Sequence, residues 1–232
     1  MKRQGLINHI IKLLLLLGVI VTSSCNTGSK HDQALIPLQK GNFWKYSGSY
    51  NGKPVVFRIT VDYVVKQGGM LFAVLKGFPS DILAGQDWEA SDWGLLVVGD
   101  GQYYYKLTGA RIDSVKNSLS DTEGIKASLV SDKDLFIEAL YDTSQIFGEA
   151  AQITRADGNY FWKVTEKHAF EPSSIRGLKI HGPFDRFTLI YQTIADEITM
   201  DIVPGIGLVR YRYSHHGTPG ELDLRLTEAG LK

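Results

Sequence analysis

The run Val55-Val56-Phe57-Arg58-Ile59-Thr60-Val61-Asp62-Tyr63-Val64-Val65-Lys66 decides the fold class. Val55, Phe57, Ile59, Val61, Tyr63 and Val65 recur at every second position, with Arg58, Thr60, Asp62 and Lys66 between them. Successive side chains of a strand point to opposite faces, so the run predicts a long strand with one packed and one wet face. Its flanks are turn signals. Asn51-Gly52 is a two-residue hairpin leading back to a strand over Asn42 to Tyr46. Gly68-Gly69 turns the chain forward into Met70–Lys76.

The same pattern continues outward. Asp100-Gly101 joins Leu95–Val98 to Gln102–Leu107, and Asp157-Gly158 joins Gln152–Arg155 to Tyr160–Glu166. Phe187–Val203 is one long extended run with a break near Ala195-Asp196. Val209, Tyr211 and Tyr213 alternate with Arg210 and Arg212, and Leu222, Leu224 and Leu226 alternate with Asp223 and Arg225. Strands joined by tight turns predict a mainly β chain, a single domain built as an antiparallel meander sheet. The stretch between Ala110 and Ala151 breaks the pattern. Arg111 to Ser128 is polar and patternless and reads as a long loop. Ser131 and Asp134 resemble a capping box opening one short helix, Asp132–Tyr141, with Leu135, Phe136, Ala139 and Leu140 on one face; a strand carrying the same residues is the alternative.

The N-terminus carries an address. Lys2, Arg3 and Lys12 flank the nine-residue apolar run Leu13 to Val21, followed by Thr22, Ser23, Ser24 and Cys25, the single cysteine. At ~1.5 Å per residue the run covers roughly 14 Å, about half of a ~30 Å hydrocarbon core, so it predicts a secretory signal and not a membrane span. The arrangement resembles the bacterial lipoprotein signal, whose cysteine becomes the acylated first residue, although Thr22 stands where that family prefers Leu. The resemblance implies a signal peptide over 1–24, lipidation (palmitate among the acyl chains) at Cys25 and a membrane partner held through the N-terminal lipid. Two or more acyl chains make a stable anchor where one does not. Residues 25–34 then read as a lipidated tether, and 35–232 as the β domain. Asn26 after the cysteine implies, by the same resemblance, the outer membrane, facing the periplasm or the cell surface.

Three of the 25 basic side chains fall in the signal and none of the 25 acidic ones, leaving 22 against 25. A slightly acidic body with no basic run speaks against nucleic-acid binding. With its cysteine acylated the protein would have no internal disulfide, and about 200 residues suffice to bury roughly 70% of the unfolded surface.

A second resemblance covers most of 35–228. Pro37-Leu38-Gln39-Lys40-Gly41-Asn42-Phe43-Trp44-Lys45-Tyr46 looks like the opening P-L-x-x-G-N-x-W-x-Y of many uncharacterised envelope lipoproteins, which commonly end in P-G-[IV]-G-L-V, as Pro204 to Val209 do here. Gly-Pro-Phe at 182–184 starts the penultimate strand in the same order of parts. This resemblance implies a curved half-barrel similar to lipoprotein carriers and implies no activity. Read physically, Gly205 and Gly207 permit the positive φ of a bend, and Trp44 and Tyr46 share a face that belongs in a core.

Chemistry-bearing groups are sparse. Asp81, Asp87, Glu89 and Asp92 stand among Trp88 and Trp93, carboxylates beside indoles as a glycan site needs. The plainer reading is a solvated loop whose tryptophans tuck onto the sheet. Tyr103 and Tyr105 share a strand face and could receive a ligand, or pack at a sheet edge. His215-His216 would point to opposite faces, with His168 and His181 elsewhere, and no H-E-x-x-H, nucleophile elbow, P-loop or paired C-x-x-C is present. Neither metal nor cofactor is expected. The sequence therefore predicts a non-catalytic, lipid-anchored cell-envelope lipoprotein binding a hydrophobic ligand (a lipid), a glycan or an envelope protein. The alternative is a glycan hydrolase using the 81–92 carboxylates.

Overall fold

The computed structural model describes residues 34–87, 89–118, 130–140, 142–180, 182–217 and 220–232. Cys25, the signal and most of the tether lie outside the described residues, as do Trp88 and His181.

Among the described residues, twelve strands form one antiparallel sheet: β1 Phe43–Tyr50, β2 Lys53–Gln67, β3 Met70–Lys76, β4 Asp92–Val98, β5 Tyr103–Thr108, β6 Leu135–Glu138, β7 Ile146–Phe147, β8 Trp162–Phe170, β9 Phe184–Gln192, β10 Asp196–Val203, β11 Gly207–His215 and β12 Glu221–Gly230. The order across the sheet is β6-β5-β4-β3-β2-β1-β12-β11-β10-β9-β8-β7. Two meanders are therefore joined where the first strand pairs with the last, Trp44 opposite Ala229 and Tyr46 opposite Leu226. The sheet curls until its short edges approach, and the Gln145 side-chain amide donates to the Ala139 carbonyl across the seam at 2.8 Å. The expected curved, mainly β half-barrel is thus present and nearly closed.

Bulges supply the curl, because an extra residue bends and twists its strand. Pairing slips at Lys45/Tyr46, Val61/Tyr63, Val164/Glu166 and Asp201/Ile202. The slip at Asp62 corrects the simple reading of β2. Phe57, Ile59 and Val61 face the barrel interior, but beyond Asp62 the faces exchange. Val64 joins the main core, while Val65 packs into a second cluster and Tyr63 is 39% exposed.

That second cluster, Phe72, Val74, Leu96 and Leu107 on the outer face of β3–β5, receives Ile112 and Val115. Those two come from a helix over Ala110–Ser118, within the stretch read as a loop. With two further short helices among the described residues, α1 is Pro79–Leu83, α2 is Ala110–Ser118 and α3 is Ala150–Ile153 in chain order. The helix expected over Asp132–Tyr141 is instead a 3-10 turn, Asp132–Asp134, running into β6. Its capping box is real: the Asp134 carboxylate accepts from the Ser131 N–H at 2.8 Å and the Ser131 hydroxyl at 2.9 Å. The following residues pair with β5 at the sheet edge, and pairing outweighs local helix preference. Similarly, Gln152 lies in α3 and not in a strand before Asp157-Gly158.

Gly94 is what lets α2 sit close. A Cβ there would come within 3.0 Å of the Phe72 ring, 3.3 Å of Leu107 Cβ and 3.4 Å of Ile112 Cγ1. Gly94→Ala is expected to cost about 1–3 kcal/mol in urea unfolding, the range for extra carbon forced into a packed site. An unchanged midpoint would mean that α2 does not pack as described.

Candidate functional site

The barrel interior is divided along its length. At one end aromatic side chains act as a plug. Trp44 donates its indole N–H to the Ile206 carbonyl (2.6 Å), the Tyr46 hydroxyl donates to the Leu208 carbonyl (2.8 Å), and the Tyr104 hydroxyl accepts from the Leu35 N–H (3.0 Å). All three are buried. Enclosure raises the Tyr46 and Tyr104 phenols above their ordinary pKa, since the charged form would lose its hydration. The bend that presents Ile206 and Leu208 depends on Gly205 and Gly207, at φ +82° and +95°. This places the core aromatics and the glycine bend where the sequence predicts them.

Phe78 and Phe136 form a floor. They wall an apolar void of about 20 Å³ shared with Trp44, Tyr46, Trp93 and Leu75. On their other side they line a cleft of about 490 Å³, together with Lys106, Trp162, Met200 and Tyr211. Exposed Thr108 and Lys133 also line the cleft, as do Tyr191 and Ile198 from the facing strands. The volume falls within the ~300–1,000 Å³ usual for small-molecule sites. Phe78 packs edge-on against Trp93 and Phe136, 4.8 Å and 5.6 Å between ring centroids, and Trp162 lies tilted on Tyr191 at 5.2 Å.

Lys106, Lys133 and Asp134 are the charged residues of the lining, and Lys106 is the one set against the aromatic rings. Tyr104, Lys106 and Thr108 alternate with Tyr103, Tyr105 and Leu107 along β5, so Lys106 projects inward. Its ammonium lies 3.2 Å from the centre of the Phe78 ring and 5.9 Å from that of Trp93. No hydrogen-bond acceptor or ion-pair partner engages it among the described residues. Burial pulls its pKa down to about 8, against a smaller opposing pull from Asp81. Asp81 itself is buried, its Oδ2 accepting the Phe78 N–H at 2.7 Å at the start of α1.

The residues singled out in the sequence are distributed differently from a single site. Asp87 is exposed and accepts the Glu89 N–H at 3.0 Å, and Asp92 pairs with Lys76 at 2.5 Å. Neither of them, nor Glu89, lines the cleft. Trp93 is buried behind Phe78 and donates its indole N–H to the Gly77 carbonyl. Tyr103 and Tyr105 point to the outer face, where Tyr105 packs on the second cluster. Among the described residues no group of three or more His, Cys, Asp or Glu could hold a metal ion. His215 Nδ1 lies 2.8 Å from Asp196 Oδ1, which also accepts the Tyr213 hydroxyl at 2.6 Å. Those bonds hold the Asp196 carboxyl below its usual range and push Tyr213 up to about 12. No described helix is long and apolar enough to cross a membrane.

Lys106 escapes sequence reading because a lysine in a strand ordinarily marks the wet face. The available signal was its neighbours. Both faces of β5 are otherwise largely apolar, so a charge on either face is out of place.

Fold and cleft together define a single-sheet β-barrel with an internal cleft of ligand size. No protein-family model matches the chain, and no curated protein matches it. Among solved structures it is similar to a presumed lipoprotein from Parabacteroides distasonis ATCC 8503, with 12% identity, a TM-score of 0.42, and coverage of 85% of this chain and 98% of that one. It is also similar to a presumed exported protein with a YmcC-like fold from Bacteroides fragilis NCTC 9343, with 10% identity, a TM-score of 0.39, and coverage of 85% and 99%. Likenesses this distant bear on neither activity nor ligand.

Proposed function

We propose that this chain is a bacterial cell-envelope lipoprotein, anchored through acylated Cys25, whose barrel binds a hydrophobic ligand without transforming it. The observation that carries the binding is the cleft of about 490 Å³ walled by Phe78, Phe136, Trp162 and Met200. An aromatic and aliphatic wall favours apolar surface at roughly 25 cal/mol per Å² removed from water. The anchor rests on the N-terminal signal and on the position of Cys25 directly after Ser23 and Ser24. Glycan hydrolysis would need two carboxyls facing across a cleft. Asp134 is the acidic side chain lining this one.

Filling the cleft tests the reading. Ile198→Trp is expected to weaken binding of the neutral dye Nile red by the full-length protein at least tenfold, with the circular dichroism of the barrel retained. Undiminished dye binding by a folded Ile198→Trp would place the ligand elsewhere. Intact mass of membrane-extracted protein, beside Cys25→Ala, tests the anchor separately. A mass equal to an unmodified chain in both would remove it.

A further inference from the structure

We infer that the cleft selects a single-chain amphiphile with one carboxylate head, its head inward on Lys106 and its alkyl chain running along Trp162, Met200 and Ile198 towards solvent. This rests on the cleft being the ligand site and adds the chemistry of the ligand.

Lys106 stands among aromatic rings. An ammonium inside an apolar wall is costly unless it is paired. Among the described residues the protein supplies the face of Phe78 at 3.2 Å and the charge of Asp81, whose Oδ2 accepts the Phe78 N–H and which forms no ion pair with Lys106. A cation–π contact is worth about 0.5–2 kcal/mol, less than a desolvated ion pair with good geometry. A ligand carboxylate would supply what the described residues do not, an acceptor of equal and opposite charge. One ammonium balances one negative charge. A phosphate monoester carries about −1.5 to −2 at neutral pH and would leave charge uncompensated in the same enclosure. The cleft volume suits one alkyl chain and is small for a two-chain phospholipid.

The other charged and titratable groups around the site are Asp81 of α1, Lys133 and Asp134 of the 3-10 turn, Tyr191 of β9 and Tyr211 of β11. Lys133 is exposed and lies 3.7 Å from Glu149, so it is the rim cation, and burial raises the Tyr211 phenol so that it stays neutral. The group facing an incoming carboxylate whose charge changes near neutral pH is Lys106. Binding of a carboxylate favours protonated Lys106. Its affinity is therefore expected to fall about tenfold between pH 7 and pH 9, and that of an uncharged chain of the same length to stay level.

The test titrates full-length protein with dodecanoate, dodecanol and dodecyl phosphate below their aggregation concentrations, following tryptophan fluorescence. Dodecanoate is expected to bind at least tenfold tighter than dodecanol at pH 7, and tighter than dodecyl phosphate. In Lys106→Met, dodecanoate and dodecanol are expected to bind alike. Lys106→Arg, which keeps a cation, should restore the preference. Equal binding of dodecanoate and dodecanol to the wild type would overturn the inference while leaving the cleft as an apolar site. Tighter binding of dodecyl phosphate would overturn the carboxylate assignment. Binding of none of the three would overturn both the inference and the proposed function.

Discussion

Trp44→Ala is expected to lower the unfolding free energy by about 4–5 kcal/mol, the upper part of the range for truncating a buried aromatic. Trp44 is 2% exposed in the plug. Its indole N–H satisfies the carbonyl of Ile206, a residue with no exposure, at 2.6 Å. Truncation removes the ring and leaves that carbonyl buried without its donor, a further penalty of about 1–3 kcal/mol where the site cannot relax. The ring also lies against the glycine bend, 3.6 Å from where a Cβ of Gly207 would stand. The variant should therefore loosen the approach to β11 as well as the core. Trp44→Phe keeps most of the packing and loses the hydrogen bond, and should cost about half as much. Urea unfolding of both variants measures the difference. A loss below about 1 kcal/mol for Trp44→Ala would mean that the plug is not packed as described.

Lys106→Met should act in the opposite direction. A lysine pulled down to about 8 when folded, against about 10.4 when unfolded, penalises the folded state wherever the unfolded chain is protonated. Below pH 8 both states hold the proton and the penalty is constant. Between about pH 8 and 10.4 the unfolded state binds more protons, so stability of the wild type rises with pH across that window. Met at this position removes the penalty. The variant should be more stable than wild type at pH 7 by about 2 kcal/mol, allowing for the part of Lys106 that water reaches, and the gap should close by about pH 10.5. Thermal unfolding across this range checks it. A variant less stable than wild type at pH 7 would show that Lys106 is held by interactions stronger than Phe78 and Asp81 provide. A residue that costs stability and yet lines a cleft is what a binding role predicts.

The strands were legible because their physics is local. Alternation and Asn-Gly, Gly-Gly and Asp-Gly turns fixed β1 to β5, and the Val209 and Leu222 patterns fixed β11 and β12. Trp44 and Tyr46 were legible as core for the same reason. What escaped was non-local. Asp62 as a bulge depends on its pairing with β3, and no feature of Asp62 itself announces it. Helix α2 is polar apart from Ala110, Ile112 and Val115, and its apolar face became recognisable only against Leu96 and Leu107. At 132–141 a correct capping box led to the wrong element, because an edge of β5 was available for pairing. The cleft depends on which residues of β5, β10 and β11 face each other across the barrel. Alternation gives each strand's inward face but not its opposite number. Asp81 and Trp93, weighed both as glycan-site candidates and as a loop tucked onto the sheet, take structural places, one capping α1 and the other backing Phe78.

The proposed ligand lies in the interior cleft and not on the outer surface. The chain has three methionines, and the two in the barrel report on opposite sides of the sheet. Met200 is fully buried and lines the cleft, while Met70 packs on the outer cluster with Phe72 and Leu96. Methyl NMR of the full-length protein, labelled at methionine and titrated with dodecanoate, reads both at once. A saturable shift of the Met200 methyl is expected, with Met70 unmoved. A shift confined to Met70, or a bound ligand that leaves Met200 unmoved, would contradict that placement.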